Sequence, residues 1–132
     1  MSGGYDGSPL GDLWELDLER GRWMQFKIKA DLANGSQPRC RHSLVIFPHR
    51  PKEVYFIGGF SGQAASNPSS KPVLLTLDDM TFRVASIENF FDLVRAGQSA
   101  TLLPDNSFVL FGGIDAQGKT TNDLLSLYTN DK

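Results

Sequence analysis

The stretch that decides the fold is Glu-Val-Tyr-Phe-Ile-Gly-Gly at residues 53–59, a short apolar run that ends in two glycines. A second run of the same kind, Ser-Phe-Val-Leu-Phe-Gly-Gly, occupies residues 107–113, and a third Gly-Gly pair stands at residues 3–4. Continuous apolar runs of this length between turn residues indicate buried β-strands. Because neighbouring glycine pairs lie 55 and 54 residues apart, the sequence predicts an internal repeat of about 55 residues.

The segments on either side of the glycine pairs also recur. Residues 39–43 read Arg-Cys-Arg-His-Ser and residues 95–99 read Arg-Ala-Gly-Gln-Ser; they are called the arginine segments below. Each glycine pair is followed by a loop and then by a short strand, at residues 12–17, 72–78 and 123–128. The repeat unit therefore has four short strands and little helical periodicity, which predicts an all-β fold.

Counting strands along the chain divides it into three parts. Residues 1–38 contain strands three and four of a first unit, residues 39–92 form a complete unit, and residues 93–132 supply strands one to three of another. Residues 61–72 are rich in Ser, Ala, Asn and Pro, which predicts an exposed loop. Residues 88–94 are the one stretch compatible with a helix, but they are short.

Composition limits the functions that the chain can have. It has 132 residues, 40% of them hydrophobic, and a net charge of −2. These values favour a folded domain over a disordered chain, and they predict no nucleic-acid or anionic-membrane partner. No apolar run approaches the roughly 20 residues that span a bilayer, and no signal peptide is recognisable at the N-terminus. The one cysteine excludes an internal disulfide, so the sequence predicts a cytoplasmic protein.

The side chains that could carry chemistry are few. A structural zinc site needs about four ligands, whereas Cys40, His42 and His49 are the only cysteine and histidines. Ser43 and Ser99 recur at matching positions, but neither lies in a Gly-x-Ser-x-Gly sequence, so each is expected to bond to backbone. The sequence thus predicts no enzyme activity, no metal and no cofactor.

The combined pattern resembles the kelch repeat. An arginine segment, a strand ending in Gly-Gly, and a Trp-x-x-Asp with a second tryptophan six residues after the aspartate all occur, although Leu75 and Val84 replace the two tryptophans in the second copy. Kelch repeats build β-propellers, so the resemblance implies a partial kelch-type β-propeller of four-stranded antiparallel blades. The residues that carry the structural motif are Gly3, Gly4, Trp14, Trp23, Gly58, Gly59, Gly112 and Gly113.

The resemblance also implies a function. Kelch domains serve as protein-interaction modules, so the chain is expected to be a non-catalytic binding or scaffold module within a larger propeller protein. A binding face is expected at Tyr5, Arg41, Phe60 and Ile114, with an acidic peptide as one possible ligand. Two alternatives stay open: a fragment of a kelch-propeller enzyme, galactose-oxidase-like or specifier-type, whose site lies in other blades, and an architectural subunit of a large assembly.

The two ends of the predicted strand array are incomplete. Sheets of two and three strands would leave backbone groups and an apolar face uncovered at each end. The expected partners are therefore the remaining propeller blades or a second copy of the chain, in addition to other proteins.

Overall fold

The structure is a computed structural model that describes residues 1–28, 38–61, 72–87 and 94–128. Every regular element in these ranges is a β-strand, which confirms the predicted all-β class. The strands are β1 (Leu13–Asp17), β2 (Arg22–Phe26), β3 (Arg39–Cys40), β4 (Ser43–Val45), β5 (Glu53–Ile57), β6 (Phe60–Ser61), β7 (Val73–Thr76), β8 (Thr81–Val84), β9 (Ser99–Leu102), β10 (Phe108–Phe111) and β11 (Leu124–Leu127). Most of the loop expected at 61–72 and of the stretch at 88–94 lies outside the described residues.

The strands form three antiparallel sheets and one short ribbon. The first sheet is β1-β2, the second is β4-β5-β7-β8, the third is β9-β10-β11, and the ribbon pairs β3 with β6. Gly21 adopts a positive φ of 62° in the turn between β1 and β2. The described sheets are small and none of them closes on itself, so the propeller blades implied by the resemblance are not confirmed.

The core consists of two apolar layers, one on each face of the second sheet. Tyr55 and Ile57 of β5 are fully buried among residues of the third sheet such as Phe108 and Leu110. Val54 and Phe56 alternate with them and face a second cluster that includes Leu13 of the first sheet. Because successive side chains of a strand point to opposite faces, burial on both sides explains the unbroken apolar run of β5.

The arginine segments join consecutive sheets through backbone hydrogen bonds. The Gly4 N–H donates to the Arg39 carbonyl at 2.9 Å, and the Gly59 N–H donates to the Arg95 carbonyl at 2.7 Å. Both arginine side chains are buried, and their guanidinium groups donate to the carbonyls of Gly58 and Gly112. Each arginine therefore connects one Gly-Gly pair to the next.

Burial on both faces predicts that the second sheet is the most protected part of the described chain. Amide hydrogens of β5 should exchange at least about 100-fold more slowly than those of β2, whose side chains are mostly exposed. Hydrogen exchange followed by NMR measures both strands in one sample. Equal protection in β2 and β5 would show that the first sheet is covered in solution by something else.

Candidate functional site

Three aromatic and basic side chains meet at one cavity of about 370 Å³, called the Arg41 pocket below. It is lined by Tyr5, Cys40, Arg41 and Phe60. Tyr5 and Phe60 each follow directly after a Gly-Gly pair, and Arg41 belongs to the first arginine segment. The contacts between glycine pairs and arginine segments therefore bring together residues that lie far apart in the sequence.

The backbone of Arg41 is held in an unusual conformation. Its φ is 55°, in the left-handed region that residues with a Cβ rarely adopt. The Arg41 carbonyl accepts a 2.9 Å hydrogen bond from the N–H of Gly97, in the second arginine segment, and this bond helps to hold the strained turn in place. Strain of about 1–2 kcal/mol at a pocket residue is typical of a site where side-chain direction matters.

The side chain of Arg41 lies over an aromatic ring. Its guanidinium carbon is 5.9 Å from the centroid of the Phe60 ring, which is within cation–π range. The side chain is exposed, and so is that of Tyr5, at 62%. The pocket therefore offers a guanidinium, which binds carboxylate or phosphate oxygens, beside flat rings that can stack on a planar ligand.

The structure places the fourth expected residue elsewhere. Ile114 does not line the Arg41 pocket; its backbone forms β-bridges with Ala96 and Thr120. Cys40, which the sequence did not single out as a pocket residue, lines it while being only 5% exposed. No signal in the sequence marks Cys40, because its position depends on the pairing of β3 with β6.

A second, largely apolar cavity of about 260 Å³ lies between the first and second sheets and is called the apolar groove below. Its walls include Leu13, Trp14, Trp23, Leu44 and Leu77. Trp14 donates from its indole N–H to the Asp12 carboxylate at 2.6 Å, whereas Trp23 is 51% exposed. Trp23, one of the residues of the expected structural motif, therefore borders an open groove and is not enclosed in the core.

His42, the residue after Arg41, is partly buried, and its ring packs against the protein. Its ring stacks on that of Phe56 with centroids 5.8 Å apart, and its Nδ1 has no hydrogen-bond partner among the described residues. Burial, together with the positive charge of Arg39, lowers the pKa of His42 to about 4. In the part of the chain that the structure describes, no group of three or more potential metal-ligating side chains is found.

Ser43 also has a structural contact. Its hydroxyl donates to the Gln98 carbonyl at 3.3 Å, and the Gln98 side-chain amide donates to the Ser43 oxygen at 3.2 Å. Both bonds link the two arginine segments.

Across the described ranges, no helix is long and apolar enough to cross a membrane.

Comparison with known proteins finds two relatives that are named for an acyl-CoA-binding domain. The chain is 29% identical over 133 aligned positions to "Acyl-CoA-binding domain-containing protein 4" of Arabidopsis thaliana, and 32% identical over 133 positions to "Acyl-CoA-binding domain-containing protein 5" of the same plant. Each alignment includes 92% of this chain but only 18% and 19% of the relatives. The chain thus spans about a fifth of the length of these curated relatives. No protein-family model matches the chain.

These comparisons contradict the kelch assignment. Both relatives are named for an acyl-CoA-binding domain and not for kelch repeats or a β-propeller. The expected function as a kelch scaffold is contradicted by the same names, and neither the enzyme-fragment alternative nor the architectural-subunit alternative is favoured. The recurrence of Gly-Gly and arginine segments predicts which strands pack together, but local packing does not identify a protein's family or its ligand.

Proposed function

We propose that this chain is part of a protein that binds acyl-CoA, and that its Arg41 pocket contacts the phosphate-bearing nucleotide portion of the coenzyme. The observation that carries this proposal is the match of 92% of the chain to two proteins named for acyl-CoA binding. Since the chain spans about a fifth of those relatives, the rest of such a protein would supply the other contacts.

The chemistry of the pocket supports the nucleotide portion as the bound group. Coenzyme A carries phosphate groups and an adenine ring, so cationic donors close to flat aromatic surfaces favour its binding. Arg41 can donate two parallel hydrogen bonds to a phosphate, and Phe60 and Tyr5 can stack on the base. A cavity of about 370 Å³ holds a group of nucleotide size but not a whole acyl-CoA molecule.

Replacing Arg41 by glutamine tests the proposal. The substitution removes the cation that would pair with phosphate, and we expect it to weaken binding of CoA at least about tenfold. Isothermal titration calorimetry with CoA and with octanoyl-CoA measures the loss. Both ligands should bind with similar affinity, because the proposal places only their shared nucleotide portion in the pocket.

Arg22→Gln is the matched control. Arg22 is exposed on β2 and does not line the Arg41 pocket, so its loss removes the same charge without touching the site. If both substitutions weakened CoA binding equally, the effect of Arg41 would come from the net charge of the protein and not from a contact in the pocket. Absence of binding of both ligands to the unsubstituted chain would show that this segment does not contact acyl-CoA.

A further inference from the structure

One exposed loop lies directly beside the Arg41 pocket and is called the Asp6 loop below. It runs from Tyr5, which lines the pocket, to Pro9, and a β-bridge between these two residues closes it. The three residues at its tip, Asp6, Gly7 and Ser8, are all exposed. The base of the loop is therefore fixed to the fold, while its tip lies in solvent.

The main-chain nitrogen of Gly7 is unhindered. Among the described residues its N–H has no hydrogen-bond acceptor, and a Cβ built on Gly7 would meet nothing within 4 Å. Since glycine has no side chain, nothing shields this nitrogen from the neighbouring carboxyl group of Asp6. A bond from the Gly7 nitrogen to the Asp6 Cγ would close a five-membered ring, which is a favourable size for cyclisation.

The carboxylate of Asp6 is held more loosely than those of comparable aspartates. It accepts a long hydrogen bond of 3.4 Å from the Ser8 N–H. By contrast, Asp12 accepts the Trp14 indole N–H at 2.6 Å, and Asp115 accepts two backbone N–H groups at 3.0 and 2.8 Å. Both of these aspartates also precede a residue that has a side chain. Asp6 therefore combines a loosely held carboxylate with an open nitrogen.

We propose that Asp6-Gly7 is a site of spontaneous isoaspartate formation, which moves Tyr5 and thereby weakens the Arg41 pocket. In the first step the Gly7 nitrogen bonds to the Asp6 Cγ, and the carboxyl hydroxyl leaves with the amide hydrogen as water. Water then adds to the main-chain carbonyl of the resulting succinimide, and the bond from that carbonyl to the nitrogen breaks. The two steps release one water and consume one, so the reaction needs no oxidant, reductant or other reactant.

The rearrangement changes the main chain beside a pocket residue. The chain now continues through the Asp6 side-chain carbonyl, which adds one methylene group to the backbone and leaves a carboxylate on the Cα atom. Because Tyr5 belongs to the same closed loop, the added atom changes the direction in which its ring points. The effect on the pocket rests on the proposed function, whereas the chemical step does not.

Ageing the purified 132-residue chain at physiological temperature and neutral pH tests the chemical step. Trypsin releases residues 1–20 as one peptide that contains Asp6, Asp12 and Asp17, and electron-transfer fragmentation locates isoaspartate within it. We expect at least about tenfold more isoaspartate at Asp6 than at Asp12. Equal amounts at the two positions, or none at Asp6, would overturn the proposal. The Asn-Gly at residues 34–35, which reacts through the same ring, is released in a separate peptide.

Asp6→Glu and Asp6→Asn are the matched variants. Glutamate would have to close a six-membered ring, so residue 6 should stay unmodified. Asparagine closes the same five-membered ring but releases ammonia in place of water, so it should react faster than aspartate. Modification of the glutamate variant at the rate of the unsubstituted chain would show that the five-membered ring is not the route.

Calorimetry with CoA tests the effect on the pocket. Chromatography separates the isoaspartate form, which should bind CoA at least about threefold more weakly than the fresh chain. The Asp6→Glu chain should keep its affinity on ageing. Unchanged affinity of the isoaspartate form, when Arg41→Gln does weaken binding, would overturn the effect on the pocket. Absence of CoA binding to the fresh chain would overturn the proposed function together with this effect, whereas the mass spectrum alone decides the isoaspartate site.

Discussion

Alanine at position 58 is expected to lower the free energy of unfolding by about 4 kcal/mol, the sum of backbone strain and a steric clash inside the protein. Gly58 has a φ of 67°, and a Cβ there would lie 2.2 Å from the Arg95 carbonyl oxygen. That oxygen accepts the hydrogen bond from the Gly59 N–H, so moving it away also breaks a bond between the second and third sheets. Chemical denaturation followed by circular dichroism measures the loss.

Gly118→Ala separates the two contributions. This glycine has a similar φ of 77° but no atom within 4 Å, so only strain of about 1 kcal/mol should remain. A loss at Gly58 no larger than that at Gly118 would contradict the close approach of the arginine segment to the glycine pair.

Acidification is expected to destabilise the protein by about 3 kcal/mol through His42 alone. Burial and the Arg39 charge lower the pKa of His42 in the folded protein to about 4, whereas an unfolded histidine has its ordinary value of 6.5. Between these two values the unfolded chain binds the proton more readily. The stability contributed by neutral His42 is therefore fully present above pH 6.5, falls progressively toward pH 4, and changes no further below that value.

His42→Gln should remove this part of the pH dependence while preserving the fold. Glutamine already stands at the matching position of the second arginine segment, where the Gln98 side-chain amide donates to the Ile57 carbonyl at 2.9 Å. Urea unfolding between about pH 4 and pH 7.5 compares the two proteins, and subtraction removes the shared contribution of the carboxylates. His49→Gln replaces the second histidine, at an exposed turn residue, and is the control for the substitution itself. A profile that is the same with and without His42 would contradict its burial as a neutral ring.

Part of the candidate site was predictable because its residues lie next to or within the recurring glycine pairs and arginine segments. Tyr5 and Phe60 come directly after glycine pairs, and Arg41 lies at a fixed place in the first arginine segment. The resemblance to the kelch repeat implied that Tyr5, Arg41, Phe60 and Ile114 share one face, and the first three line one cavity in the structure. Ile114 also follows a glycine pair directly, as Tyr5 and Phe60 do. Its backbone forms β-bridges with Ala96 and Thr120, however, and it does not line the Arg41 pocket.

The sequence by itself determined the all-β class, since runs such as residues 53–57 are too short for helices and are bounded by glycines and turns. Only the tertiary structure decided which face of each strand is covered. Ile57 and Phe111 occupy matching positions in similar strands, yet one is fully buried and the other is 52% exposed, because burial depends on the neighbouring sheet and not on the strand's own residues. The same holds for His42, whose pKa is lowered by its burial and by the charge of Arg39, because both arise only after the sheets have packed.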